Sequence, residues 1–95
     1  MTTVSVVIPV YNGAETIRRS VDSVCSQTWT DLEVIIVDDG SEDGTPEVCA
    51  ALCAKDERIH VVRQANQGVS AARNAGLGAA SGDRVVFVDA DDRLL

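Results

Sequence analysis

The sequence predicts a three-layer α/β fold, a parallel sheet carrying helices on both faces. Three observations predict it. Short β-branched runs recur along the chain, stretches with helical spacing of apolar residues separate them, and most of the runs end abruptly in polar turn residues. The 95 residues amount to one domain with one core.

Val4 to Val10 (VSVVIPV) reads as a strand buried on both faces, and Tyr11-Asn12-Gly13 ends it. Ile17, Val21 and Val24 recur at spacings of four and three, which predicts an amphipathic helix from about Ala14 to Gln27. Leu32 to Val37 is a second buried strand, closed by Asp38-Asp39-Gly40-Ser41. Thr45-Pro46-Glu47 reads as a helix start, with Thr45 as the cap, proline at the first helical position and an acid in the first turn. Val48 and Leu52 give that helix its apolar face up to about Lys55. Ile59 to Arg63 is a short third strand. Ser70 is expected to cap a third helix reaching about Ala80, with Gly82 placed to stop it. Gly76 and Gly78 each weaken that helix by up to about 1 kcal/mol relative to Ala, so both are expected where it packs closely on the sheet. Val85 to Val88 is the fourth strand, and Asp89-Ala90-Asp91-Asp92 follows at once.

The order β-α-β-α-β-α-β implies right-handed crossovers and a Rossmann-like sheet with strand order 3-2-1-4. Open α/β sheets bind ligands beyond the carboxyl ends of their strands, where strand order reverses. Here that point lies between strands one and four. The polar groups that follow strands one, two and four are all expected to converge on it.

Composition narrows the function. Hydrophobic residues are 45% and charged residues 24%, which suits a folded domain rather than a disordered tail. Tyr11, Trp29 and Phe87 are too few for a stacking platform, and a net charge of −7 opposes a phosphate backbone, so nucleic acid is excluded as a partner. No apolar run approaches the ~20 residues of a membrane span, and the start lacks the features of a signal peptide. A cytoplasmic chain is therefore expected, with membrane association of a longer protein left open. Cys25, Cys49 and Cys53 include no CxxC pair and are expected to serve as small buried apolar groups, while His60 stands alone.

The acids cluster. Four lie at Asp38, Asp39, Glu42 and Asp43, three at Asp89, Asp91 and Asp92, and the eight others equal the eight Lys and Arg. Solvated acidic turns are the plain reading of each cluster taken alone. Two clusters plus an aromatic on one crevice favour a site. Asp89, Asp91 and Asp92 are oxygen donors unaccompanied by thiolate or imidazole. They suit Mg²⁺ or Mn²⁺ held in an incomplete shell that water and substrate phosphates finish. Tyr11 could offer a flat face to a nucleobase and Asp39 an acceptor for a base N–H; the alternative for Tyr11 is a packing residue beside the helix. GxxxxGK[ST] and GxGxxG are both absent, which disfavours a P-loop or dinucleotide fold. A signalling receiver would need its acid pair after the first strand, where Tyr11-Asn12 stands.

Four segments carry a resemblance: VSVVIPVYN, VDDGSEDGT, QGVSAARNAG and VDADD. In this order and spacing the chain resembles the family 2 inverting glycosyltransferases with the A-type nucleotide-sugar-binding fold, over essentially its whole length. The resemblance implies that Pro9 and Tyr11 line the nucleobase and ribose. It implies that Asp39 contacts a base N–H, usually of uracil, with Asp38 beside it, and that Arg73 lies near the nucleotide. It further implies a DxD motif, with Asp89 nearer the ribose and Asp91 as metal ligand. The partner implied is a nucleotide-sugar donor, a UDP-sugar, with an acceptor saccharide or lipid undefined. Family members continue past the DxD motif, so the catalytic base is expected beyond residue 95, and the 95 residues alone are expected to transfer no sugar. The alternative is a nucleotide-binding or self-associating module without catalysis, including a homodimer formed by edge-strand pairing.

Overall fold

The computed structural model of the chain describes residues 3–26 and 31–88. Its elements are β1 (Val4–Val10), α1 (Ala14–Cys25), β2 (Leu32–Asp38), α2 (Thr45–Lys55), β3 (Ile59–Arg63), α3 (Val69–Ala79) and β4 (Arg84–Phe87). The strands form one parallel sheet in the order β3-β2-β1-β4, with β3 and β4 as its edges among the described residues.

The continuous apolar runs follow from burial on both faces. Along β1, Val6, Ile8 and Val10 face one side and pack with Val34 and Ile36 of β2, with Ile17, Val21 and Val24 of α1, and with Cys49 and Leu52 of α2. Val7 faces the other side and packs with Ile35, Val37 and Ala72 of α3. The period-2 alternation of a strand splits one run between two cores. Helices α1 and α2 cover the first face and α3 the second.

Glycine lets α3 lie close. A Cβ at Gly76 would overlap Val7 Cγ1 and come within 3.2 Å of Val37 Cγ2, whereas one at Gly78 would meet nothing within 4 Å. Close packing therefore explains Gly76 and not Gly78. Gly82 also has a different job from the one expected. Helix α3 ends at Ala79, and a Cβ at Gly82 would sit 2.6 Å from Ser5 Oγ and 2.7 Å from the Thr3 carbonyl oxygen. The α3–β4 turn is latched there: Ser5 Oγ donates to Glu33 (3.0 Å), Gly82 N donates to Ser5 Oγ (2.9 Å), and Ser81 donates to Glu33 through both its amide (3.0 Å) and its hydroxyl (2.6 Å).

Two helix starts differ from expectation. The residue before α2 is Gly44, and Thr45 is its first helical residue, because the Thr45 hydroxyl is engaged with Asp43 and Gly13 instead of with its own helix. Helix α3 begins at Val69 after Gly68, whose φ of 98° is open to glycine, so Ser70 lies inside the helix. Cys49 is fully buried, and burial pushes its thiol up to about 11, which keeps it protonated as a small apolar group. Cys25 and Cys53 are half-buried, and His60 is exposed. No described helix is long and apolar enough to cross a membrane.

Candidate nucleotide site

At the carboxyl end of the sheet three loops are tied together by side chains that their own sequence places there. Asp38 ends β2 fully buried, and its Oδ1 accepts the Ser41 N–H at 2.9 Å, which folds the β2–α2 loop back on itself. That turn sets Ser41 Oγ to accept the Asn12 N–H at 2.8 Å, while Asn12 Oδ1 accepts the Glu42 N–H at 2.8 Å. Asn12 holds a positive φ of 50°, a conformation asparagine tolerates better than most residues. Next to it, Gly13 N–H donates to Thr45 Oγ1 at 3.0 Å, and Asp43 accepts the Thr45 amide at 2.9 Å. The Thr45 hydroxyl, which also donates to Asp43, and the Thr45 amide hold the Asp43 carboxyl below the ordinary carboxylate range, the hydroxyl contributing most.

Asp39 ties the third loop. Its Oδ1 accepts Gln64 Nε2 at 2.8 Å and the Gln67 N–H at 2.9 Å, and its Oδ2 accepts the Gly68 N–H at 3.0 Å. The Gln64 amide is the largest cause of a lowered carboxyl pKa, assisted by the two backbone donors and opposed by burial. Gly40 permits the approach of the two loops: its φ is 76°, and a Cβ there would lie 2.7 Å from the Asn66 nitrogen.

Asp38 and Asp39 are therefore buried and not solvated turn residues, whereas Asp43 is exposed. Each serves as an acceptor for loop N–H groups.

Pro9, Val10, Tyr11, Asp39, Val69 and Ala72 wall a cavity of about 120 Å³ above β1. The structure thus brings together three of the residues expected at the site: Pro9, Tyr11 and Asp39. Tyr11 is 48% exposed, with a ring at the surface instead of packed into the core. Asp38 does not line this cavity; it borders a separate, mostly apolar groove of about 510 Å³ between α2 and β3, with Pro46, Ala50, Cys53, Ala54, Val61 and Arg63. Arg73 is half-buried on α3, one residue past the cavity-lining Ala72. Asp89 and Asp91 lie outside the described residues. Val88, the last described residue before them, is buried and donates its N–H to the Val7 carbonyl at 3.0 Å. Among the described residues no group of three His, Cys, Asp or Glu side chains is gathered to hold a metal.

Comparison with known proteins decides the family. The model of the family described as glycosyl transferase family 2 matches residues 5–95. The chain belongs to this family. As a family 2 chain it is 44% identical over 89 residues to glycosyltransferase GlyA of Streptococcus pneumoniae, and 43% identical over 90 residues to the uncharacterised glycosyltransferase YibD of Escherichia coli. These alignments cover 94% and 95% of the chain but only 13% and 26% of the relatives' own lengths. Among solved structures it is similar to the mannosyltransferase PcManGT from Pyrobaculum calidifontis in complex with GDP-Man and Mn²⁺, with a TM-score of 0.88 and 33% identity. It is also similar to Staphylococcus aureus TarS 1–349 in complex with UDP, at 0.86 and 34%. The matches cover 95% and 96% of the chain and 28% of each neighbour.

Sequence reasoning missed the donors that hold the acids: Gln64, the Gln67 and Gly68 amides, Ser41 and Thr45. Each lies 25 or more residues from one of the partners it engages, apart from the local bonds within the β2–α2 loop. The available signal was the density of Asp, Asn, Ser and Thr in the two short loops, residue types that bond loop backbone.

Proposed function

We propose that residues 1–95 are the donor-binding part of an inverting glycosyltransferase domain, taking a UDP-sugar together with Mn²⁺ or Mg²⁺. The observation that carries this reading is the convergence of Pro9, Tyr11 and Asp39 on one cavity at the carboxyl end of the sheet. In this reading the exposed Tyr11 ring lies against the base and Asp39 accepts a base N–H. Three donors already hold that carboxylate, so little orientational freedom remains to be lost on binding. Arg73 supplies positive charge near the nucleotide, and Asp89 receives the ribose.

The carboxylates of Asp38, Asp39 and Asp43 each accept loop N–H groups. For a cation the sequence offers Asp89, Asp91 and Asp92, an oxygen-only set that suits a hard divalent ion, with Asp91 as the main ligand. A cation bound there would neutralise the charge that builds on the departing diphosphate. The share of the chain's own residues is binding and orientation, fixing the base so that the anomeric carbon faces the acceptor. The base that deprotonates the acceptor hydroxyl is expected outside these residues. The similarity to TarS, solved with UDP, and to PcManGT, solved with GDP-Man and Mn²⁺, supports a nucleotide ligand and a metal.

Calorimetry with UDP, GDP, ADP and NADH, each with Mn²⁺, Mg²⁺ or a chelator, tests the proposal. UDP is expected to bind best and to gain affinity from the cation. Asp39→Asn should weaken UDP with or without metal, whereas Asp91→Ala should erase only the increment due to metal. GDP binding tighter than UDP would move the donor to a GDP-sugar; NADH binding tightest, or no nucleotide binding, would refute the reading.

A further inference from the structure

We infer that Gln64 is a positioning residue for nucleotide recognition: it clamps the Asp39 carboxylate so that a ligand in the cavity meets an acceptor and never a donor. The inference rests on the donor-binding reading and extends it to a residue that does not line the cavity. A carboxylate has about four acceptor positions. Gln64 Nε2 and the Gln67 N–H fill Oδ1, and the Gly68 N–H takes one place on Oδ2. One acceptor position remains, on a residue that walls the cavity with Tyr11 and Pro9. A flat ligand edge that carries an N–H, as an imide does, satisfies that position. A ring nitrogen with only a lone pair would face a negative oxygen and be rejected.

Gln64 is the one side chain among the three donors, and so the one that substitution can remove without disturbing the backbone. It sits just past β3, where its own N–H donates to the Asp38 carbonyl at 3.0 Å and keeps the side chain beside Asp39. Among the described residues, the ionisable groups at the carboxyl ends of the elements around Asp39 are Tyr11, Asp38, Glu42, Asp43, Arg63 and Arg73. The lowering of its pKa comes from neutral donors, Gln64 first, and not from any of those charges. The carboxylate thus stays ionised, and acceptor-only, to a lower pH than an ordinary aspartate. Without Gln64 its pKa rises, and recognition that needs the ionised form is lost at a higher pH.

The test uses the whole chain and uridine, which carries no phosphate to titrate and needs no metal. Uridine affinity and the Asp39 carboxyl resonance are followed by NMR against pH for the wild type, Gln64→Ala and Gln64→Glu. Gln64→Ala should weaken uridine roughly three- to thirtyfold at neutral pH, the scale of one hydrogen bond to a charged group offset by the two donors that remain. It should also move the Asp39 titration, and the acid limb of uridine binding, upward together. Gln64→Glu keeps the shape but sets a second carboxylate against Asp39, so it should weaken uridine more than Gln64→Ala does. Amide spectra matching the wild type show that each variant is folded. Wild-type binding of uridine with both variants unchanged in affinity and in Asp39 titration overturns the role of Gln64. Failure of the wild type to bind uridine or UDP overturns the donor-binding reading instead, while the Asp39 titration still reports whether the clamp exists.

Discussion

Replacing Gly76 by Ala sets two effects against each other in the middle of α3. Alanine gains about 1 kcal/mol of helix propensity over glycine. Against this, the new methyl would overlap Val7 Cγ1 and press to 3.2 Å from Val7 Cγ2 and from Val37 Cγ2. Both valines are fully buried in the two central strands. Valine has one stiff side-chain torsion, so neither can swing aside cheaply. Relief requires α3 to lift from the sheet, and overpacking of this kind costs about 1–3 kcal/mol. An overlap that involves two such neighbours belongs in the upper half of that range, which leaves a net loss of about 1–2 kcal/mol. For a chain of this size each kcal/mol lowers Tm by about 4–8 °C. Gly78→Ala is the control in the same helix: its Cβ meets nothing within 4 Å, so only the propensity gain applies, about 0.5 kcal/mol so near the helix end. Urea unfolding followed by circular dichroism measures both. Lifting α3 also shifts Ala72 and Val69 in the cavity wall, so Gly76→Ala should weaken uridine binding as well. A Gly76→Ala variant as stable as the wild type, or a destabilised Gly78→Ala variant, would refute the reasoning.

Three further outcomes are expected. Ser41→Ala removes the acceptor of the Asn12 N–H, should cost about 1 kcal/mol in urea unfolding, and should weaken uridine by loosening the loop that carries Tyr11. Tyr11→Ala should leave stability nearly unchanged, because the ring is exposed, yet weaken uridine by the ~1–3 kcal/mol of a base–aromatic stack, read by NMR titration. Asp56, held at about 2 against an ordinary 3.8 chiefly by its hydrogen bonds from Arg58, stabilises the fold above pH 3.8 and loses that contribution as pH falls towards 2. Arg58→Met should therefore lower Tm at neutral pH, with the gap to the wild type closing across that window; a gap that stays constant would show that the pair is not the cause.

The sequence by itself determined the order of elements and the sheet topology. Runs such as Val4 to Val10 and Leu32 to Val37 can be buried on both faces only in a parallel sheet covered by helices, and right-handed crossovers leave 3-2-1-4 as the natural order. It also determined that the turns after β1 and β2 share the carboxyl edge, since strands that run parallel all end on one side. Tyr11 and Asp39 were legible for that reason, as were the motifs that mark the family.

Only the tertiary structure decided what the polar side chains do there. Thr45 and Ser70 carry the local signature of helix caps, but a hydroxyl takes whichever partner the fold brings, and Thr45 was drawn to Gly13 and Asp43. Asp38 and Asp39 are neighbours of like charge in the sequence, yet one turns towards Ser41 and the other towards a loop 25 to 29 residues further on. Whether an acid is a ligand, a solvated charge or a clamp depends on where its donors lie. The donors for Asp39 come from a segment that only the sheet brings alongside, and pairing of β2 with β3 in parallel register, Asp38 opposite Arg63, places Gln64 where it reaches the carboxylate.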